Sequence, residues 1–485
     1  MICISVTPES RQLAKVDILN ASRQGDLVEL CLDHLIKEPD IKDLLDGTRK
    51  PILVSCRNQE EGGHYQGSED ERILLLKQVI LAGPAYVELD LETARKIPRF
   101  GKTQRVVSYT SLDRPLGNIE SVFDEAVAAK ADVIKFTWPT QTLEAAWPLL
   151  AAVSQKRSVP VVGLGIGRGG LTFSLLGRKY GSPWIYAALE KGMEAFPGQP
   201  TVGDLDDVYR WRQIGPKTRF FGIAGTGLFE QHLSRILNAG FQQLNMDTRC
   251  LPFDIRSLDT LAKMLDILKV PAVIATPDAD RRLFDLAEKS DEVAQTSGHA
   301  DLFVKQADGW HGHNLIWKTA LRALENKLGR KSSDDRPLDR RSALILGCGG
   351  VGKSVAAGIK KRNGLVSIAA GDDEAAQKAA GQLEIRYVPA TKIYETLVDV
   401  AVFTVSNFDQ VKKPAPINPS LLRPGMTVMD LNGLPNGSQF TFEAKERGCK
   451  TVEPREVFIE YVATLFKSLT GHDLPSDAAA ALMQG

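Results

Sequence analysis

ADVIKFTWP, residues 131–139, sets Lys135 in the middle of an apolar, β-branched and aromatic run. A run of this kind reads as a buried strand. Lysine is almost never buried without a partner, because desolvation disfavours its charged form. A lysine pushed toward neutrality is a nucleophile that forms Schiff bases with carbonyl substrates. The alternative is a snorkelling lysine at a strand end, its ammonium in solvent or paired with Glu29 or Glu88.

The surrounding sequence favours the first reading. Residues 1 to about 213 alternate strand-like runs with helical ones, and the runs are ICISVTP, DLVELCLD, PILVSCR, AYVELDLE, RVVSYT, DVIKFTW, VPVVGLGI and WIYAAL. Amphipathic stretches such as ERILLLKQVILAG and IESVFDEAVAAK lie between them. This α/β pattern of βα units predicts a TIM (β/α)8 barrel over 1–213, whose chemistry sits at the C-terminal ends of the strands. Glu29, Asp33, Arg57, Glu88, Asp90 and Lys135 fall late in their strands, where a purely structural barrel is expected to carry Val, Ile and Leu.

The second half has a different pattern. FFGIAG, FEQHLSRILNAGF and KVPAVIATP read as strand, helix and strand. A charged connection, GRKSSDDRPLDRR, covers 329–341. SALILGCGGVGKSVAAGI then runs a strand into Gly347, Gly349, Gly350 and Gly352 and on into a helix. Glycines in that place let a backbone approach a pyrophosphate at a helix N-terminus, so a Rossmann domain is expected over 340–455. The next strand, LVSIAA, leads to Gly371, Asp372 and Asp373. An acid there suits the ribose hydroxyls of NAD and repels the phosphate of NADP. The same Asp372 also reads as the N-cap of a helix beginning DDEAAQKAA.

Composition narrows the classes. The chain has 485 residues, 43% hydrophobic and 25% charged, with Lys plus Arg and Asp plus Glu both 60. The zero net charge argues against binding nucleic acid or a membrane surface through bulk charge. Six scattered cysteines without a CxxC pair read as reduced thiols, neither a disulfide frame nor a zinc site. No signal peptide is read at the N-terminus and no run reaches the ~18 apolar residues of a membrane span, so the expected location is the cytoplasm. His311 and His313 lack an evident third ligand, so no metal is expected.

CRNQEEGGHYQGSEDER at 56–72, VIKF around Lys135, FPGQPTV at 196–202 and RQIGPKTRFFGIAG at 212–225 resemble type I 3-dehydroquinate dehydratase, in the form fused to shikimate dehydrogenase in plants. The resemblance implies a lyase in which Lys135 forms an imine with the C3 ketone of dehydroquinate, followed by proton removal from C2 and loss of water. It implies that Glu29 and Arg57 contact substrate, Glu61 orients the catalytic group and Gln199 bonds a hydroxyl. It further implies a shikimate-dehydrogenase-like substrate-binding domain at 216–325 and a C-terminal helical segment, 456–485, packing back on it. The implied ligands are small keto and hydroxy acids (3-dehydroquinate, 3-dehydroshikimate, shikimate), with NAD or NADP in the Rossmann domain.

Several family positions are changed. Cys31 stands where the family has an Arg, and VSYTSLDRP offers Tyr109 or Thr110 in place of the acid/base His. Ser174 occupies the place of a carboxylate-binding Arg, for which Arg168 in the GIGRGG loop is a nearby substitute, and His64 in EEGGHY is the nearby histidine that could stand in as base. In the second half Gln231 and Leu233 align with the substrate-binding serines, Ala279 with the catalytic Lys and Ile316 with the catalytic Asp. Asp301 aligns with an Asn and Tyr461 with a Gln, while Gly312 and Asn314 are kept. These losses predict an impaired dehydrogenase half. They also keep open a non-catalytic relative that senses a pathway intermediate.

Overall fold

The eight strand-like runs of the first half all form strands in the computed structural model, which describes residues 1–37, 39–225, 227–255, 259–276, 281–405, 407–408 and 415–480. They are β1 (Ile2–Val6), β2 (Leu27–Cys31), β3 (Ile52–Ser55), β4 (Tyr86–Asp90), β5 (Gln104–Thr110), β6 (Val133–Pro139), β7 (Val161–Ile166) and β8 (Ile185–Ala188). They make one parallel sheet in the order β7-β6-β5-β4-β3-β2-β1-β8. The last strand turns back to pair with the first, Cys3 opposite Tyr186. This is the wrapped sheet of a (β/α)8 barrel, nearly closed, with β7 and β8 at the seam.

Period-two alternation sends every second side chain inward. Cys3, Leu27, Leu53, Val106, Val133, Val162, Trp184 and Tyr186 form a core inside the sheet. Two residues further along their strands stand Ser5, Glu29, Ser55, Ser108 and Lys135, which therefore face the same interior. The outer helices are held by local rules. The helix Glu69–Ala82 starts with a Ser68–Glu71 capping box and stops at Gly83 in the left-handed region.

The chain divides into two units, Met1–Arg219 with Asp247–Ser257, and Phe220–Met246 with Leu258–Gly485. The second unit holds two lobes. In one, Ala272–Ala275 pairs parallel with Arg219–Ala224 and antiparallel with Leu302–Gln306, which pairs with Gly309–His313. The other is a parallel sheet ordered Arg386–Tyr387, Leu365–Ala369, Ser342–Leu346, Val400–Phe403, Thr427–Asp430, Lys450–Val452. In chain order that is 3-2-1-4-5-6, the doubly wound arrangement of dinucleotide-binding folds. The helix Pro454–Thr470 lies on the first lobe, Phe458 edge-on to Phe229 at 5.0 Å and Phe466 stacked on Phe241 at 5.3 Å. Among the described residues no helix is long and apolar enough to cross a membrane.

Candidate active site

Lys135 sits in the middle of β6 and is wholly buried. The position differs from the strand-end, partly solvated place that a reactive or snorkelling lysine suggests. The cause is register: Lys135 lies beside Ser108 of β5 and Val162 of β7, well inside the sheet. Its Nζ donates to both oxygens of Glu88, at 3.0 and 2.8 Å, and lies 3.9 Å from Glu29. The ammonium also sits 4.4 Å above the Tyr186 ring.

Arg57 follows β3 and completes the cluster. Its guanidinium binds Glu29, lies 3.6 Å from Glu88 and covers the Phe196 ring at 4.8 Å. Its Nη1 lies 3.8 Å from the Cys31 sulfur. Two carboxylates and two cations thus neutralise one another inside the barrel. Arg57 is therefore engaged by acids and does not face Lys135 as a free cation. Burial works against the charge on Glu29, but Arg57, Lys135 and Ser5 outweigh it and hold the carboxyl below its ordinary range. Ser5 donates to Glu29 at 2.6 Å and accepts from Gln199 at 3.0 Å, which ties the segment after β8 to the same cluster. That segment is fixed by backbone contact: a Cβ on Gly198 would lie 1.9 Å from the Gly167 carbonyl oxygen.

Glu61 sits in a single turn after Arg57, capped reciprocally with Asn58. It is buried, and its Oε2 is 3.9 Å from Arg72. Burial, then the nearby Asp90 and Glu88, push its carboxyl up to about 8. Asp33 supports the same loop, accepting from the backbone of Arg57 at 3.3 Å and of His64 at 3.1 Å. Asp90 caps a helix through Thr93 and binds Arg72 at 2.8 Å, so it is structural.

His64 packs against His34 with ring centroids 4.4 Å apart, in a cleft of about 820 Å³ lined also by Asp33 and Tyr65. Lys135 does not line that cleft. Tyr109 and Thr110 are half-buried at the end of β5, Ser174 is buried on its helix and Arg168 is exposed.

In the second unit the Gly-rich turn lies where a nucleotide fold needs it. Gly347 has φ 117°, and a Cβ there would meet the Thr404 hydroxyl at 2.3 Å. A Cβ on Gly352 would lie 2.1 Å from the Gly347 carbonyl oxygen, and one on Gly350 would strike His299 at 2.6 Å. Gly349 caps the helix Gly350–Lys361 without a side-chain bond. Gly349, Gly350 and Gly352 border a cleft of about 320 Å³ with Phe229, Glu230, Thr276, His299 and Asn432. The turn leaves no room for a side chain at Gly347, Gly350 or Gly352, the kind of close backbone approach that dinucleotide-binding turns use. Asp372 is exposed and N-caps the helix Asp373–Leu383 through Ala375.

Ile316 and Leu233 are buried and apolar where the resemblance expects polar groups. Asp301 is buried and accepts from the backbone N–H groups of Leu315 and Ile316 at 2.8 and 2.6 Å; burial raises its carboxyl to about 7. Asn314 binds Ser354 at 2.7 Å and so ties the first lobe to the glycine helix. Tyr461 is buried near Phe229, Gln231 is exposed, and Gly312 pairs with Phe303 in the hairpin. Ala279 lies outside the described residues. His311 binds Asp308 at 2.9 Å, and among the described residues no three His, Cys, Asp or Glu side chains gather for a metal.

Residues 2–216 match the type I 3-dehydroquinase family. The match covers the barrel whose interior holds Lys135. The whole chain is similar to the bifunctional 3-dehydroquinate dehydratase/shikimate dehydrogenase, chloroplastic, of Arabidopsis thaliana, 24% identical over 98% of this chain and 83% of that protein. The 3-dehydroquinate dehydratase of Methanocaldococcus jannaschii is 26% identical over 43% of this chain and 98% of its own. Among solved structures, shikimate dehydrogenase from Aquifex aeolicus has a TM-score of 0.48 at 20% identity, covering 56% of this chain and 100% of its own. The dehydroquinate dehydratase and shikimate dehydrogenase of S. pombe has a TM-score of 0.42 at 16% identity, over 99% of this chain and 97% of its own. The dehydroquinase-like unit keeps Glu29, Arg57, Glu61, Lys135 and Gln199 around one buried cluster. Sequence reasoning treated Glu88 as an optional partner and passed over Ser5, Ser108 and Tyr186. The inward alternation of their strands is the signal that finds them.

Proposed function

We propose that the barrel is a Schiff-base lyase acting on 3-dehydroquinate through Lys135, fused to a shikimate-dehydrogenase-like half with impaired hydride chemistry. The reading divides the chain into the barrel at 1–213, a substrate lobe at 216–325, a nucleotide lobe at 340–455 and a helical segment at 456–485. The contact between Lys135 and Glu88 carries it: a buried amine with a carboxylate on its nitrogen has a proton acceptor already in place. Glu88 takes a proton from Nζ, and the neutral amine adds to the C3 ketone. That proton passes to the former carbonyl oxygen, a second follows from the nitrogen by way of Glu88, and the oxygen leaves as water to give the protonated imine. Removal of a proton from C2 and departure of the C1 hydroxyl then form the double bond, and water releases Lys135. The net change is loss of one water from the substrate.

Arg57, Glu29 and Gln199 hold the substrate's carboxylate and hydroxyls in this reading. Glu61 is the protonatable group beside Arg57 and orients the acid/base step. A missing acid/base histidine costs about 10²–10⁴-fold in rate, so turnover is slow. The second unit binds a nicotinamide dinucleotide, which supplies hydride exchange when bound. Gly347, Gly349, Gly350 and Gly352 cradle its pyrophosphate, and Asp372 favours NAD over NADP. The ligands are dehydroquinate, dehydroshikimate and shikimate. The free cysteines suit the cytoplasm. Dehydroquinate turnover, read by the conjugated enone it forms, tests the lyase. Turnover that Lys135→Ala leaves unchanged contradicts it.

A further inference from the structure

Among the described residues, the buried hydroxyls near Lys135 that have no hydrogen-bond partner include Ser108 Oγ on β5, Thr137 Oγ1 on β6 and the Tyr186 hydroxyl on β8, and the first two stand on the strand of the lysine and its neighbour. Ser108 is 2% exposed and Thr137 is 0% exposed. Leaving a buried donor unmade costs about 1–3 kcal/mol, so such a pair calls for a ligand. Their placement is specific. Ser108 stands directly opposite Lys135 in the β5–β6 register. The Lys135 amine reaches Glu88 on β4, and β5 lies between those strands, so the lysine side chain passes over the inward face that carries Ser108. Thr137 lies two residues beyond Lys135, on the same face and nearer the C-terminal mouth from which a barrel substrate arrives. Ser108 on β5 and Thr137 on β6 thus stand on neighbouring strands, on the inward face that Lys135 occupies, one level with the lysine and the other two residues nearer the mouth.

We propose that Ser108 and Thr137 form an oxyanion site for the ketone that Lys135 attacks. This rests on the Schiff-base reading and adds to it the groups that stabilise the addition step. As Nζ bonds to the carbonyl carbon, the C=O π pair moves onto oxygen. Ser108 and Thr137 donate hydrogen bonds to that oxygen while its negative charge develops. The proton held by Glu88 then passes to the oxygen to give a carbinolamine, a second proton moves from the nitrogen through Glu88 to the hydroxyl, water leaves, and the nitrogen pair closes the protonated imine. Donors aimed at a developing oxyanion act where charge grows and cost no reorganisation.

The experiment is borohydride trapping in the full chain with saturating 3-dehydroquinate, adduct on Lys135 being counted by peptide mass spectrometry against quench time. Ser108→Ala and Thr137→Val are each expected to slow trapping about 10²-fold, the scale for one oxyanion donor, with ligand affinity little changed. Thr137→Ser should restore the rate, because it returns the hydroxyl without the methyl. Trapping at the wild-type rate in Ser108→Ala and in Thr137→Val overturns the oxyanion site and leaves the Schiff base standing. No adduct in the wild type overturns the Schiff base itself. If Thr137→Val fails to fold, Ser108→Ala alone decides, since removing one small hydroxyl leaves the strand backbone intact.

Discussion

Lys135, Glu88, Glu29 and Arg57 form a charge cluster in which removing one member leaves another buried and unpaired. Such a loss costs about 3–5 kcal/mol, whereas replacing a buried pair by apolar groups is often neutral. Lys135→Met and Glu88→Leu are each expected to destabilise by about that amount. The double variant should recover most of it, because the Arg57–Glu29 pair remains balanced. Denaturant melts check this, and additive losses contradict it. Glu61 gives a pH signature. Its folded carboxyl lies at about 8, above the ordinary value of an unfolded glutamate. Between those two values the folded state holds a proton that the unfolded state has lost, so stability falls as pH rises through that window. Glu61→Gln should remove this slope, and melting temperatures measured at pH 5 to 9 test it. A slope identical to wild type contradicts the assignment. The identity of these residues was legible in the sequence and their depth was not. A charged residue in an apolar strand says that it needs a partner, while the partner is set by cross-strand register. For the same reason Glu88 read as optional and Ser108 went unnoticed.

Elements were legible wherever a local rule decides them. The strand runs are β-branched and bounded by turns, and the helix Glu69–Ala82 carries its cap signals in Ser68, Glu71 and Gly83. Asp372 had two readings, and as an element it is a helix N-cap, whatever ribose contact it adds. Asp301 is less legible. Its alignment with a family Asn hides its work, which is to satisfy the first N–H groups of the helix Ile316–Lys327 from a buried position. Asp301→Ala should cost about 1–3 kcal/mol, because it strands those donors, and Asp301→Asn less; calorimetry checks the order. The glycine turn makes a sharper prediction. Gly352→Ala places a Cβ against the Gly347 carbonyl and should abolish dinucleotide binding, while Gly381→Ala, with nothing within 4 Å, should leave it intact. Titration calorimetry with NAD reads both, and equal affinities contradict the assigned cradle.

The whole chain reads as a barrel followed by a two-lobed fold; the alternation of βα units made the barrel legible, the strand–glycine–helix run the Rossmann lobe, and the family resemblance the lobe between them. Chemistry was legible unevenly. The barrel holds its lysine, arginine and glutamates together, whereas Leu233 and Ile316 are buried apolar residues at places where the resemblance to shikimate dehydrogenase expects polar ones. Shikimate oxidation with either nicotinamide dinucleotide is therefore expected to stay near background, and ordinary turnover in a coupled absorbance assay contradicts that. The central claim concerns the barrel and is tested most directly by covalent capture. Full-length protein is incubated with 3-dehydroquinate and borohydride, and its intact mass and peptides are then measured. The account predicts one reduced adduct per chain, located on Lys135 and absent from folded Lys135→Ala. An unmodified wild-type chain at saturating ligand, or an adduct that persists in Lys135→Ala, would contradict it.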